Sequence, residues 1–515
     1  MNRILALVKR ALQTDARQLR GHVIRFLLGA FILWMLFVFQ ATAGLSTAPG
    51  LDLFRSVMIC NYLAITVAGT AFFASAITEE KEERTLSLLR MAGVGSTSLI
   101  LGKWIPRLIC AALLLSVQIP FNFLSVTLGG VLWQQVVACY LTLFAHLYLV
   151  GNLGLLTSVL MSSTASACGL AFGILVALFI LPLILSSLAF AIPNLPLSGV
   201  ATFVSDAIRS GSAQTQISEI LATGANPVMW NFQVISNLVV GTVLLITSWL
   251  FFDVLTQNEK EPGSIGLFDR LRRRQGMTRR RRIGSFPIIW KDFQFIGGGT
   301  TFIILKFGIY MGLAVAATFL FMRRSSDFAE MLGGMLFGYS IFFLFVELAI
   351  VSARVFRYEL QEKTWSTLVM LPRSIREIAY EKVLGGLTTT LPLLACMLLG
   401  IILLGEEFWE GLGSLLQEFE ALLIISYFLL QYLLGLHLSI YCSIVAKWGV
   451  WPVAISMAAF IMIASNMVVI SFFALGGVSN GWEALVMVGC MITGGITLIM
   501  HHMIGDRLQA KAAES

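Results

Sequence analysis

Two stretches of this 515-residue chain carry the residues whose types and spacing could do chemistry. They read ITEEKEERTLSLLRMAGVGSTSLILGK and FRYELQEKTWSTLVMLPRSIREIAYEK. Shifted by 279 positions, they fall into register. Glu80 meets Glu359, Glu83 meets Glu362, Arg84 meets Lys363, Thr85 meets Thr364, Leu89 meets Leu368 and Lys103 meets Lys382. On a helix Thr85, Leu88, Leu89 and Ala92 share one stripe, ringed by Glu80, Glu83, Arg84 and Arg90. Such a segment can lie at the inner membrane surface and present charges to a cytosolic partner. A single copy would read as a solvated loop. The same acidic, basic and threonine pattern at matching places in two halves favours recognition.

The elements that must position these segments are membrane helices. Hydrophobic residues make up 57% of the chain and charged residues only 12%, where a soluble domain carries about 25% charged. That excludes a disordered protein and an ordinary soluble enzyme. The expected fold class is an all-α polytopic membrane protein. About 20 apolar residues are needed to cross a bilayer. Twelve such runs occur, near 24–44, 56–77, 106–129, 133–160, 167–191, 234–254, 301–322, 332–353, 383–404, 421–445, 450–474 and 484–503. The first follows a basic segment and is long enough to span, so it is not read as a cleaved signal peptide. With the N-terminus inside, 30 Lys and Arg fall on the cytosolic side and four outside. The positive-inside rule therefore places both termini in the cytosol. One outside loop is acidic, with Glu406, Glu407, Glu410 and Glu418. The repeat divides the chain into a first half, 1–256, a basic linker with a second pre-span segment, 257–300, and a second half, 301–515. Six spans per half give both halves one orientation, a parallel duplication. Apolar-basic stretches, 3–20 and 286–297, precede the first span of each half.

These features resemble the permease subunits of the ABC-2 family of ATP-binding-cassette transporters. In that family an amphipathic elbow precedes the first span, an acidic E-x-T-L-x-x-L coupling segment follows the second, and a lysine opens the third. The corresponding residues here are 3–20, Glu83 through Leu89, and Lys103, then 286–297, Glu362 through Leu368, and Lys382. The resemblance implies two fused six-span domains. It implies that separate cytosolic ATPase subunits, two copies, dock on the coupling segments and bring ATP and magnesium. It also implies an exporter, with the bacterial plasma (inner) membrane as the expected location. Two departures stand out. Trp365 replaces the leucine after Thr364, and the connection between fifth and sixth spans is long in the first half (192–233) but short in the second (475–483).

No cofactor or catalytic residue is expected in the chain itself. GVGSTSLILGKW fails as a P-loop, because Gly95 lies too far before Gly102 and Trp104 stands where magnesium needs Ser or Thr. The seven cysteines fall in apolar runs, so a disulfide framework is not expected. His501 and His502 are adjacent and point to different sides of a helix, which argues against a shared metal. His146 and His437 read as interhelical hydrogen-bonding groups. Two charges lie clearly within spans, Lys306 and Glu347, at matching depth. They are expected to form an ion pair, either fixing two helices or serving an inner gate. The resemblance places the cargo path on the second and fifth spans, at Thr66, Thr70, Phe343 and Asn466. Aromatic and aliphatic walls suit an apolar or amphipathic cargo. The basic linker is expected to meet anionic lipid and no nucleic acid. An ion-coupled secondary transporter and a non-transporting scaffold or sensor remain alternative readings.

Overall fold

A computed structural model describes residues 2–17, 19–42, 49–83, 85–191, 198–222, 228–257, 286–295, 299–321, 328–361, 364–445 and 482–514. Among them there are helices and no strand. This follows from the solvent: without water to satisfy amides, a spanning segment must close its own hydrogen bonds. Nine described helices are long and apolar enough to cross a membrane, which makes the chain an all-α polytopic membrane protein. The runs expected at 24–44 and 167–191 fall on continuous helices of 24 and 28 residues, Leu19–Thr42 and Thr164–Ala191. The run at 450–474 lies outside the described residues.

The chain divides into two compact units, with described residues 2–257 in the first and 286–514 in the second. The first unit holds α1 (Asn2–Arg17), α2 (Leu19–Thr42), α3 (Gly50–Glu82), α4 (Leu86–Met91), α5 (Ser96–Thr127), α6 (Trp133–Leu160), α7 (Thr164–Ala191), α8 (Ser198–Ser210), α9 (Ala213–Ile220) and α10 (Phe232–Gln257). Helix α6 is its axis. It packs against α3, α7 and α10, and most of its length is buried. Gly154 permits this packing, since a Cβ there would lie 2.6 Å from Phe73 Cβ and 2.9 Å from Ala74 N. Within α3, residues Ile65–Gly69 form a π-turn. Helix α1, on the expected 3–20 elbow, packs against α5. The long 192–233 connection holds α8 and α9.

The second unit holds α11 (Pro287–Phe295), α12 (Gly299–Phe321), α13 (Phe328–Arg354), α14 (Arg357–Gln361), α15 (Trp365–Val369), α16 (Ile375–Leu404), α17 (Glu406–Gln417), α18 (Phe419–Val445) and α19 (Trp482–Glu514). Helix α11, on the expected second elbow, packs against α16, and α13 also packs there. Helix α16 starts with a capping box: Ser374 Oγ accepts from Glu377 N at 3.2 Å, and Glu377 Oε2 accepts from Ser374 N at 3.3 Å. The first-half position in register with Ser374 is Gly95, the uncapped start of α5. The acidic stretch 406–417, expected only as part of a charged outer loop, is a helix. Its Phe408, Leu412 and Leu415 share one side and its glutamates the other.

Candidate functional site

Each unit builds the same local turn around one carboxylate. In the first, α3 ends at Glu82 and α4 begins at Leu86. Between them the Thr85 N–H donates to Glu80 O at 3.0 Å, and the Thr85 hydroxyl donates to Glu80 Oε2. Lys103 of α5 pairs with Glu80 Oε1. In the second unit the Thr364 N–H donates to Glu359 O at 2.9 Å, and the Thr364 hydroxyl to Glu359 Oε2. Lys382 of α16 donates to Glu359 Oε1 at 3.0 Å. A carboxylate thus closes the turn at one oxygen and binds the next span at the other. Threonine suits the position because its backbone and hydroxyl donors both reach the residue five places back.

The second copy is more heavily charged. Lys291 of α11 also pairs with Glu359 Oε1, and Asp292 accepts from Lys382 at 3.0 Å. The side chains of Glu359, Lys382 and Asp292 are fully buried. Two carboxylates and two ammonium groups balance, which is what burial demands. Burial alone would raise the Glu359 carboxyl. Lys291, Thr364 and Lys382 outweigh it and hold the group down, to about 2. Gly385 admits α11, because a Cβ there would lie 2.8 Å from Asp292 Cβ. In the first unit the register positions of Lys291 and Asp292 are Leu12 and Gln13, so α1 brings no such charges.

The short helices after each turn have a packed side and an open side. Leu86 and Trp365, in register, are both buried, and Leu89 and Leu368 pack against the same cores. Trp365 meets Phe356 edge to face at 6.0 Å between centroids, beside Ile378, Ile504 and Leu508. Leu88 and Met91 point outward instead, and so do Met370 and Leu371. The expected stripe is therefore split, with Leu89 inward and Leu88 outward. Met91 and Met370 are identical in register and 75% and 82% exposed, an echo that charged residues alone do not disclose. Glu83 is exposed at the end of α3, while Arg84, Glu362 and Lys363 lie outside the described residues. The carboxylates that anchor the segments are Glu80 and Glu359.

Further ties are specific to the first unit. Arg90 donates to Thr256 O at 3.1 Å and stands over the Phe252 ring, fixing α4 to the end of α10. Lys81 donates to the carbonyls of Ser158, Val159 and Met161 at 2.6–2.9 Å, capping the C-terminus of α6. Its neighbour Glu82 accepts from Thr164 N at 2.7 Å at the start of α7. Arg107 pairs with Glu79 at 2.8 Å. None of these follows from spacing alone.

The two intramembrane charges meet. Lys306 of α12 pairs with Glu347 of α13 and donates to Thr389 O at 3.2 Å. The Thr66 hydroxyl lies 3.0 Å from His146 Nε2, and the buried Thr70 donates to Thr66 O at 2.5 Å. Phe343 packs in an aromatic group with Tyr310 and Tyr339. Asn466 lies outside the described residues. His437 and His501 approach to 5.6 Å between ring centroids, and the described residues hold no group of metal-ligating side chains.

No protein-family model matches the chain, and no curated protein matches it.

Proposed function

We propose that the chain is the membrane-spanning permease subunit of an ATP-binding-cassette exporter. It has twelve spans in two parallel six-span halves, both termini face the cytosol, and it resides in the bacterial plasma membrane. A separate ATPase, present in two copies, docks on α4 and α15 and carries ATP and magnesium. ATP binding draws the docked segments together, and the helices behind them swing as rigid bodies from inward-open to outward-open. The cargo is apolar or amphipathic.

One observation carries this reading. Two short helices, in register across the chain, each stand on a carboxylate–threonine–lysine anchor and each present exposed methionine to solvent. A merely solvated loop has no need of an ionic anchor to the following span. A docking element does, because force applied to it must reach the membrane helices. Exposed methionine next to leucine suits a pliable apolar contact with a protein partner.

The test is a pull-down of the tagged full chain in mild detergent. A Walker-motif ATPase should co-purify with wild type and be weakened by Met91→Glu and by Met370→Glu. If no ATPase is captured after cross-linking, the exporter reading falls and gradient-driven transport is tested instead.

A further inference from the structure

Helix α17 joins two membrane-crossing helices through single residues, Gly405 after α16 and Glu418 before α18. Gly405 has a φ of 56°, a left-handed conformation open to glycine, so the chain breaks sharply from the axis of α16. Helix α13 packs against both α16 and α18. Packed helices lie about 8–10 Å apart, so α16 and α18 flank α13 at up to about 16–20 Å from each other. The 12 residues of α17 measure about 18 Å, enough to bridge that gap lying flat at the membrane surface.

Two contacts with α13 fix the roll of α17 about its own axis. Phe408 meets Phe337 edge to face at 5.2 Å between centroids, and Glu407 stands beside Glu330. Glu330 lies seven residues before Phe337, about 10 Å nearer the start of α13. The Glu407 side of α17 therefore faces out of the membrane. Leu416 and Trp409 lie about 180° and 160° around the helix from Glu407, so they face into the bilayer. They are 56% and 62% exposed, and no residue of α17 is buried. Beside the two links, Ile402 of α16 and Phe419 of α18 are exposed as well, so this open edge continues the apolar surfaces of two crossing helices. Tryptophan is enriched at this level of a membrane. The solvent side carries Glu406, Glu410 and Ser414, all exposed, and α17 has no lysine or arginine to draw it to anionic lipid.

We propose that α17 is an interfacial helix whose partner is a zwitterionic lipid surface, with Trp409 and Leu416 seated at the boundary between head groups and acyl chains. Phe408 holds it to α13, and its glutamates stay in water and repel an anionic surface. The helix lies away from the two coupling segments, and the inference stands whether or not the protein transports.

The experiment maps the purified full chain in phosphatidylcholine nanodiscs, first without any substitution. Hydroxyl radicals mark side chains that water reaches. A phosphatidylcholine with a diazirine high on its acyl chain marks those that lipid reaches. Seating two large apolar side chains favours the bound state by more than tenfold, so Trp409 should be oxidised roughly tenfold less than in the denatured chain. Trp409 and Leu416 should also carry the lipid label. Oxidation of Trp409 near the denatured level puts the edge in water, and protection without lipid label puts it against protein; either result overturns the proposal. Trp409→Glu combined with Leu416→Glu should cut the lipid label on residues 406–417 roughly tenfold while that on the exposed Ile425 of α18 holds. Undiminished label on α17 in this variant would also overturn it. In phosphatidylglycerol discs at low salt the label on Trp409 should fall, and it should recover in Glu406→Gln combined with Glu410→Gln. Equal or stronger label on the anionic lipid would overturn the zwitterionic assignment.

Discussion

The two anchored turns differ in how they hold the same shape. In the second unit Glu359, Lys382 and Asp292 are sealed from solvent, and Lys291 completes the charge balance. In the first, Lys103 is 38% exposed and Glu80 has one lysine. The first turn is tied down instead by ends: Lys81 and Glu82 cap α6 and α7, and Arg90 reaches Thr256. A turn can thus be fixed by a buried ionic cluster beneath it or by polar ties spread around it. The first route concentrates the stabilisation in a few groups. The second shares it among many, so no single loss is decisive.

Lys382→Met should produce the largest effect, because it leaves Asp292 buried without its cation. Breaking a buried pair this way costs about 3–5 kcal/mol. The thermal midpoint of the detergent-solubilised chain should fall sharply, and a midpoint unchanged from wild type would erase the contrast. Trp365→Leu installs the first unit's residue. It should cost about 2–4 kcal/mol through the space left beside Phe356, Ile504 and Leu508. The loss is read from the same melt, and the reverse change, Leu86→Trp, should cost about 1–3 kcal/mol by overpacking.

Acidification sharpens the contrast through Glu359. Its carboxyl is held down to about 2 from an ordinary 4.5, so its contribution is fully present above about pH 4.5 and is lost as pH falls towards 2. Wild type should therefore lose stability relative to Glu359→Gln across that window, with a flat difference from about pH 5 to 7. The smallest effect is expected from Lys103→Met. Lys103 is partly open to water and Glu80 keeps the Thr85 hydroxyl, so the loss of this part-buried pair should stay well below that of Lys382→Met. A loss as large as that of Lys382→Met would show that exposure does not separate the two turns.

Much of this is legible in the chain's own repeat. Register alone pairs Glu80 with Glu359, Thr85 with Thr364 and Lys103 with Lys382, and matched depth brings Lys306 to Glu347. What stays hidden depends on which chain ends meet. Lys291 and Asp292 lie before the repeated stretch, and their register positions, Leu12 and Gln13, carry no echo. Lys81 and Glu82 look like ordinary surface charges until the ends of α6 and α7 are placed beside them. The facing of Leu88 and Leu89 is also hidden, because α4 is less than two turns long and its direction is set by the Thr85 turn rather than by periodicity. Helix α17 is legible in its apolar spacing, but its glutamates favour reading it as a loop.

The π-turn at Ile65–Gly69 sets an angular phase. An α-helix advances about 100° per residue, and a π-turn accommodates one residue more than the regular winding would. The part of α3 before the turn, packed near α5 and α9, and the part after it, packed on α6 and α7, are thereby offset in rotation. Excising one residue from this turn would let the helix rewind and swing Glu79, Glu80, Lys81 and Glu82 about 100° around its axis. Lys103, Arg107, the end of α6 and the start of α7 would lose their partners together. One surplus residue in mid-helix thus acts as the dial that aims four charges, about three turns away, at their separate partners.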